Sequence, residues 1–132
     1  MDTPAIDAVA IWTALNTFIL IWLAVNVGKR RQQGRVSIGD GGYAPLIRAL
    51  RGQANFVEYV PMALLMLTLA ALQGAPAMAI HAGGAILTAG RLVHAMHFIA
   101  EDAPGWQRMY GTLATLLVLV GGALGLIGHA LF

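Results

Sequence analysis

The sequence predicts an all-α fold, an integral membrane bundle of four helices. Hydrophobic residues make up 58% of the 132 residues and charged ones only 11%, whereas a soluble domain carries about a quarter charged residues. Four long apolar stretches follow one another, separated by short loops, with no strand-like alternation between them. The same composition excludes a disordered chain, which needs low hydrophobicity and high charge. The absence of cysteine removes a disulfide scaffold, a thiolate metal site and a cysteine nucleophile. The chain reads as a single domain, because no linker is long enough to divide it.

The first helix is expected over residues 5–28, which hold no Lys or Arg and measure about 36 Å at about 1.5 Å per residue. It follows Met1-Asp2-Thr3-Pro4. That start is acidic where a secretory signal is basic, so the segment reads as a retained span. The second helix is expected over residues 45–73. Pro45 suits a first helical position, and Gly74-Ala75-Pro76 is a stop signal. The third is expected over residues 76–98, and the fourth over residues 106–132, with no charge after Arg108. Small residues mark expected close contacts between helices: Gly121 and Gly125 with Gly122 and Gly128, and the run Ala82-Gly83-Gly84-Ala85. Lys29, Arg30, Arg31 and Arg35 lie in the first loop and Arg108 borders the third. The positive-inside rule therefore places loops one and three in the cytoplasm and both termini outside.

The most informative segment runs from Arg48 through Arg51, Gln53, Asn55, Glu58 and Tyr59 to Pro61. The uncharged remainder of that helix is too short to span alone, so part of the charged half lies at membrane depth. Arg48, Arg51, Asn55 and Glu58 fall within an arc of roughly 80° at about 100° per residue. Ionisable groups in lipid are costly, so this stripe is expected to face protein or a wet cavity. The third helix runs back with Arg91, His94 and His97 in its second half. Antiparallel neighbours bring both groups to one depth, where Arg30 and Arg31 end the first helix and Arg108 and Tyr110 begin the fourth. Polar groups from every helix thus converge on one end of the bundle. Arg48, Arg51 and Arg91 stand there against Glu58 alone. A surplus of permanent cations seeks an anion, and Arg grips carboxylate or phosphate in bidentate fashion. Snorkelling to lipid phosphates is the competing reading, and applies best to Arg48.

At these residues the chain resembles the MAPEG family, the membrane-associated proteins in eicosanoid and glutathione metabolism, and its bacterial branch in particular. The series Arg51, Gln53, Asn55, Glu58, Tyr59 and Pro61 is similar to the family's second-helix signature, and the basic first loop and four spans match as well. The resemblance, which extends to microsomal glutathione transferase and leukotriene C4 synthase, implies a homotrimer; the Ala- and Gly-rich composition and compact loops point to a bacterial inner membrane. It implies glutathione bound between subunits near the cytoplasmic side. It also implies a lipophilic second substrate and a transferase or peroxidase activity through a glutathione thiolate. Arg51, Gln53, Asn55, Glu58 and Tyr59 match glutathione-holding positions, with help from Arg30 or Arg31. Arg91 and His94 match polar positions of the third-helix motif. Arg108 and Tyr110 are alternative candidates for the residue that activates the thiol. Phe98 stands where relatives carry tyrosine.

The alternative is a non-enzymatic, lipid-binding membrane scaffold, a role the family also contains in the five-lipoxygenase-activating protein. A transporter would call for broken helices or inverted repeats, and the sequence offers neither. His94 and His97 lack a third metal ligand nearby, and a packing role is the simpler reading. Gly39, Gly41 and Ala44 mimic a dinucleotide fingerprint, but no strand precedes them, so they read as loop. The membrane and its lipid are the remaining expected partners; no nucleic acid is expected.

Overall fold

The computed structural model describes residues 4–132, which form α1 (Pro4–Gly34), α2 (Ala44–Leu72), α3 (Ala77–Ile99) and α4 (Gly105–Leu131). Residues 1–3, part of the acidic start read above, lie outside the described residues. The helices run up and down. Gly52 lies against Phe98 and Gly83 against Leu67, so α2 and α3 are antiparallel. Trp12 meets His81 and Arg30 meets Ile99, so α1 and α3 are parallel. Helices α2 and α3 form the middle of the bundle, and α1 and α4 flank them without touching each other.

The protein is an integral membrane four-helix bundle. Helices α1, α2 and α4 are long and apolar enough to cross a membrane. Helix α3 has 23 residues, about 35 Å of helix, and His81, Arg91, His94 and His97 lower its hydropathy. Those side chains are directed inward: Arg91, His94 and His97 are all buried. The outer helices show the opposite pattern. Phe18, Val25, Leu117, Leu124 and Ile127 are all more than half exposed, as expected where hydrocarbon is the solvent.

Helix ends follow local chemistry. Pro45 sits in the first turn of α2, where its missing N–H costs nothing. Helix α2 continues unbroken through Pro61, and closes at Gly74 with φ 88°. There the Ala75 N–H reaches the Ala70 carbonyl and the Gly74 N–H the Ala71 carbonyl, a Schellman closure. Helix α1 runs six residues beyond the expected end at residue 28, to Gly34. Lys29, Arg30, Arg31, Gln32 and Gln33 are good helix formers, and cations favour a helix C-terminus. The helix stops where Arg35 adopts a left-handed φ of 54°. Gly34 cannot carry a side chain, because a Cβ there would lie 2.3 Å from the Tyr43 ring.

The glycine contacts differ in part from the expectation. Gly84 packs on Trp12 and Gly83 on Leu67. Gly122 touches Met66, but Gly121, Gly125 and Gly128 meet nothing within 4 Å in this chain. The tight crossing of α3 and α4 falls instead at Gly90 and Gly111. A Cβ on Gly111 would stand 2.6 Å from the His94 Cβ and 2.7 Å from the Gly90 carbonyl oxygen.

Candidate functional site

Near that crossing a cleft opens between α2, α3 and α4. Its volume is about 480 Å³, and its lining includes Arg48, Arg51, Asn55, His94, Phe98, Arg108 and Thr112. Three arginines line it and no carboxylate does. A second cleft of about 300 Å³ lies beside it and shares Ala44, Arg48 and Phe98; Arg30 and Glu101 line its far side.

Under the cleft lies Arg91, only 1% exposed. One of its terminal nitrogens donates to Asn55 Oδ1 at 2.9 Å and approaches His94 Nδ1 at 3.1 Å. The other donates to Thr115 Oγ1 at 3.4 Å, and Thr115 itself donates to the Gly111 carbonyl. The guanidinium lies 5.6 Å from the centroid of the Phe56 ring, within range of a cation–π contact. Arg91 Nε is buried without a partner. No carboxylate pairs with Arg91; the ion pair found among the described residues joins Arg30 and Glu101 at 2.8 Å. A full positive charge is thus held at the centre of the bundle by neutral acceptors and a ring face.

Arg48 and Arg30 are engaged differently. Arg48 donates to the carbonyls of His97 and Ala100 and lies over the Phe98 ring. Arg30 donates to the Ile99 carbonyl as well as to Glu101 and Gln33. Together they cap the last carbonyls of α3, which have no helical donor and form the negative end of its dipole. Arg48 is therefore turned into the bundle and not out to lipid. Arg31 donates to the Gly39 carbonyl at 2.7 Å and pins the first loop. That loop carries left-handed glycines at 39, 41 and 42 and an Asp40 carboxylate accepting from the Gly42 N–H; it is a turn with no strand before it.

The expected site residues thus separate into groups. Arg48, Arg51, Asn55, His94 and Arg108 share the main cleft, with Arg91 beneath it. Arg30 lies across the wall formed by Arg48 and Phe98. Arg31, Gln53, Glu58, Tyr59 and Tyr110 line neither cleft. Glu58 is exposed on the outer surface of α2. Tyr110 is 58% exposed, and its ring lies 6.5 Å from that of Trp106. Asn26 is buried in α1 with its Nδ2 unpartnered.

Sequence reasoning did not find Thr112 and Thr115. Thr112 lies one turn beyond Arg108, which the sequence had singled out, and Thr115 lies one turn beyond Gly111 on the same helix. The helical periodicity of α4 was the available signal. Near the middle of α1, two polar contacts join it to α3. Asn16 donates to Thr88 Oγ1 at 2.8 Å, and Trp12 Nε1 donates to His81 Nδ1 at 3.2 Å.

Fold and site together define a class: a small four-helix membrane protein with an arginine-lined cleft at the basic end of its bundle. The chain belongs to the MAPEG family, whose sequence pattern matches residues 9–128. Among curated relatives it is similar to the inner membrane protein YecN of Escherichia coli K12. The two are 34% identical over 113 residues, covering 84% of this chain and 86% of the relative. The same protein from Escherichia coli O6:H1 matches equally.

Proposed function

We propose that this protein binds glutathione at the basic end of the bundle and acts as a transferase or peroxidase on lipophilic electrophiles. The observation that carries the reading is the cleft lined by Arg48, Arg51 and Arg108 without a carboxylate, above the unpaired cation of Arg91. Glutathione brings two carboxylates, an ammonium and, when bound, a thiol that supplies the nucleophile. Arg51 is exposed in the cleft and free to grip a carboxylate in bidentate fashion. Asn55 offers its amide hydrogens, since its oxygen is taken by Arg91. Arg108 places a positive charge where a thiolate would be favoured over a thiol. Tyr110 stands off the cleft in this chain, so Arg108 is the preferred activating residue.

The reading includes a homotrimer in the bacterial inner membrane, with loops one and three cytoplasmic and both termini periplasmic. Glu58 and Tyr59 lie outside the cleft of their own chain, and a site between copies would give them their role, with Glu58 meeting the ammonium. Gln53 and Arg30 or Arg31 would complete that site.

Titration calorimetry with glutathione, on purified protein in detergent, tests the reading. Saturable binding that Arg51→Ala weakens at least about tenfold, the loss of one charge-assisted contact, is the expected result. Folded wild-type protein that takes up no glutathione would overturn it. A lipid-binding scaffold would then be the better account. One observation favours that second reading: an apolar groove of about 570 Å³ at the opposite end, lined by residues including Leu67, Ile80, Gly121, Gly125 and Leu126.

A further inference from the structure

Histidine has two ring nitrogens, and the neutral ring carries one proton. Which nitrogen holds it is fixed by the partner of the other. Arginine has donors only and stays protonated. The 3.1 Å contact between Arg91 and His94 Nδ1 is therefore a hydrogen bond only if Nδ1 carries a lone pair. An imidazolium would bring two N–H donors and a positive ring against a buried guanidinium, and the geometry excludes it. The proton of His94 must then sit on Nε2.

His94 is 1% exposed, its ring lies 4.9 Å from that of Phe98 at a tilt of 36°, and it lines the main cleft. Nε2 makes no hydrogen bond within the described residues, and it is not among their sealed and unsatisfied atoms. A nearly buried side chain thus keeps one unpartnered donor at the cleft. The charged groups around it are Arg91 on its own helix, Arg48 and Arg51 from α2 and Arg108 from α4, with His97 one turn on. All four arginines disfavour a further positive charge, and no carboxylate lines the cleft to offset it.

We propose that Arg91 is a positioning residue that locks His94 as the neutral Nε2–H tautomer, so that His94 serves the cleft as a fixed hydrogen-bond donor and not as a proton acceptor. The tautomer follows from the geometry alone. Its use rests on the glutathione reading: the donor would meet an electron-rich atom of that ligand, a carboxylate oxygen or the sulfur. The proton of the thiol would have to leave by another route, since the base position of His94 is occupied by Arg91. The same lock fixes Asn55, whose oxygen accepts from the same Arg91 nitrogen, so two cleft residues point their hydrogens outward from one buried cation.

Nitrogen NMR of histidine-labelled protein in lipid nanodiscs tests the lock without any ligand. His94→Phe assigns the resonance by its disappearance. The other rings supply internal references. His97 Nδ1 faces the Pro104 carbonyl at 3.1 Å, which can only accept, so it carries hydrogen on Nδ1. His81 Nδ1 accepts from Trp12, so it carries hydrogen on Nε2. His94 is expected to show a bare Nδ1 and a protonated Nε2 throughout about pH 5 to 8, where an ordinary histidine titrates. In Arg91→Met it is expected to lose that single tautomer while the His81 signal stays unchanged. A His94 protonated at Nδ1, or one that titrates in the wild-type protein, would overturn the proposal. A second arm reads its use. Glutathione affinity should fall about tenfold more in His94→Leu than in His94→Gln, which keeps a donor. Equal losses would overturn the donor role. Wild-type protein that binds no glutathione but shows the locked tautomer would leave the lock standing and defeat only the function proposed above.

Discussion

Arg48 and Arg91 show how one residue type answers different demands in an apolar molecule. Arg91 is buried without an acid, held by Asn55, His94 and Thr115. Arg48 spends its donors on the carbonyls of His97 and Ala100. The sequence made Arg48 a candidate for lipid phosphate, because charge alone cannot distinguish an interfacial anchor from a helix cap. The difference lies in the third helix, whose last turn ends beside it. Replacing Arg48 by Gln should cost about 2 kcal/mol, from two weakened charge-assisted bonds. Thermal unfolding in detergent measures this, and an unchanged midpoint would mean the cap contributes nothing. The polar stripe from Arg51 to Tyr59 was legible at this scale, because charges at helical spacing stand out against an apolar background. Thr112 and Thr115 were not, because a threonine in a membrane helix usually satisfies itself on its own backbone.

The helices were legible where the chain punctuates itself. Pro45, Gly74, Pro76 and Gly105 mark boundaries that fall within a residue of their expected places. The end of α1 was missed because a run of Lys, Arg and Gln reads as loop by hydropathy and as helix by propensity. The contacts between helices were harder to read. A glycine repeat within one helix is visible, but Gly90 and Gly111 stand on different helices and meet only in three dimensions. Gly111→Ala should destabilise the protein by about 1–3 kcal/mol, the usual cost of overpacking. The added carbon meets the His94 Cβ and the Gly90 carbonyl oxygen, so the helices must part. Gly121→Ala should stay within about 0.5 kcal/mol, since its Cβ meets open space and alanine favours helix. Parallel melting curves check the pair. A loss at Gly121 equal to that at Gly111 would mean that another chain packs on the stripe.

At the scale of the whole molecule, charge is distributed unevenly. Every Lys and Arg lies at the loop-one end or, for Arg91, just beneath it, and the far end offers an apolar groove. Most of that asymmetry faces inward or toward the membrane surface, but Glu58 does not. It lies 14 residues into α2, about 21 Å along the helix, and it is exposed. A carboxylate facing hydrocarbon at that depth costs at least about 2.5 kcal/mol. No cation of its own chain pairs with it among the described residues. Arg51 is exposed two turns away, so α2 presents a cation and an anion outward on one side. Two opposite charges on one helix face are self-complementary between copies, and three copies around an axis would enclose them all. On the trimer proposed above, native mass spectrometry of protein released from mild detergent should give a species of three chains. Glu58→Arg, which sets like charges against one another, should shift it toward single chains, while Glu101→Arg at the exposed loop should not. A wild-type protein that flies as one chain under conditions that keep it folded would mean that lipid, not a neighbouring copy, covers this face of α2.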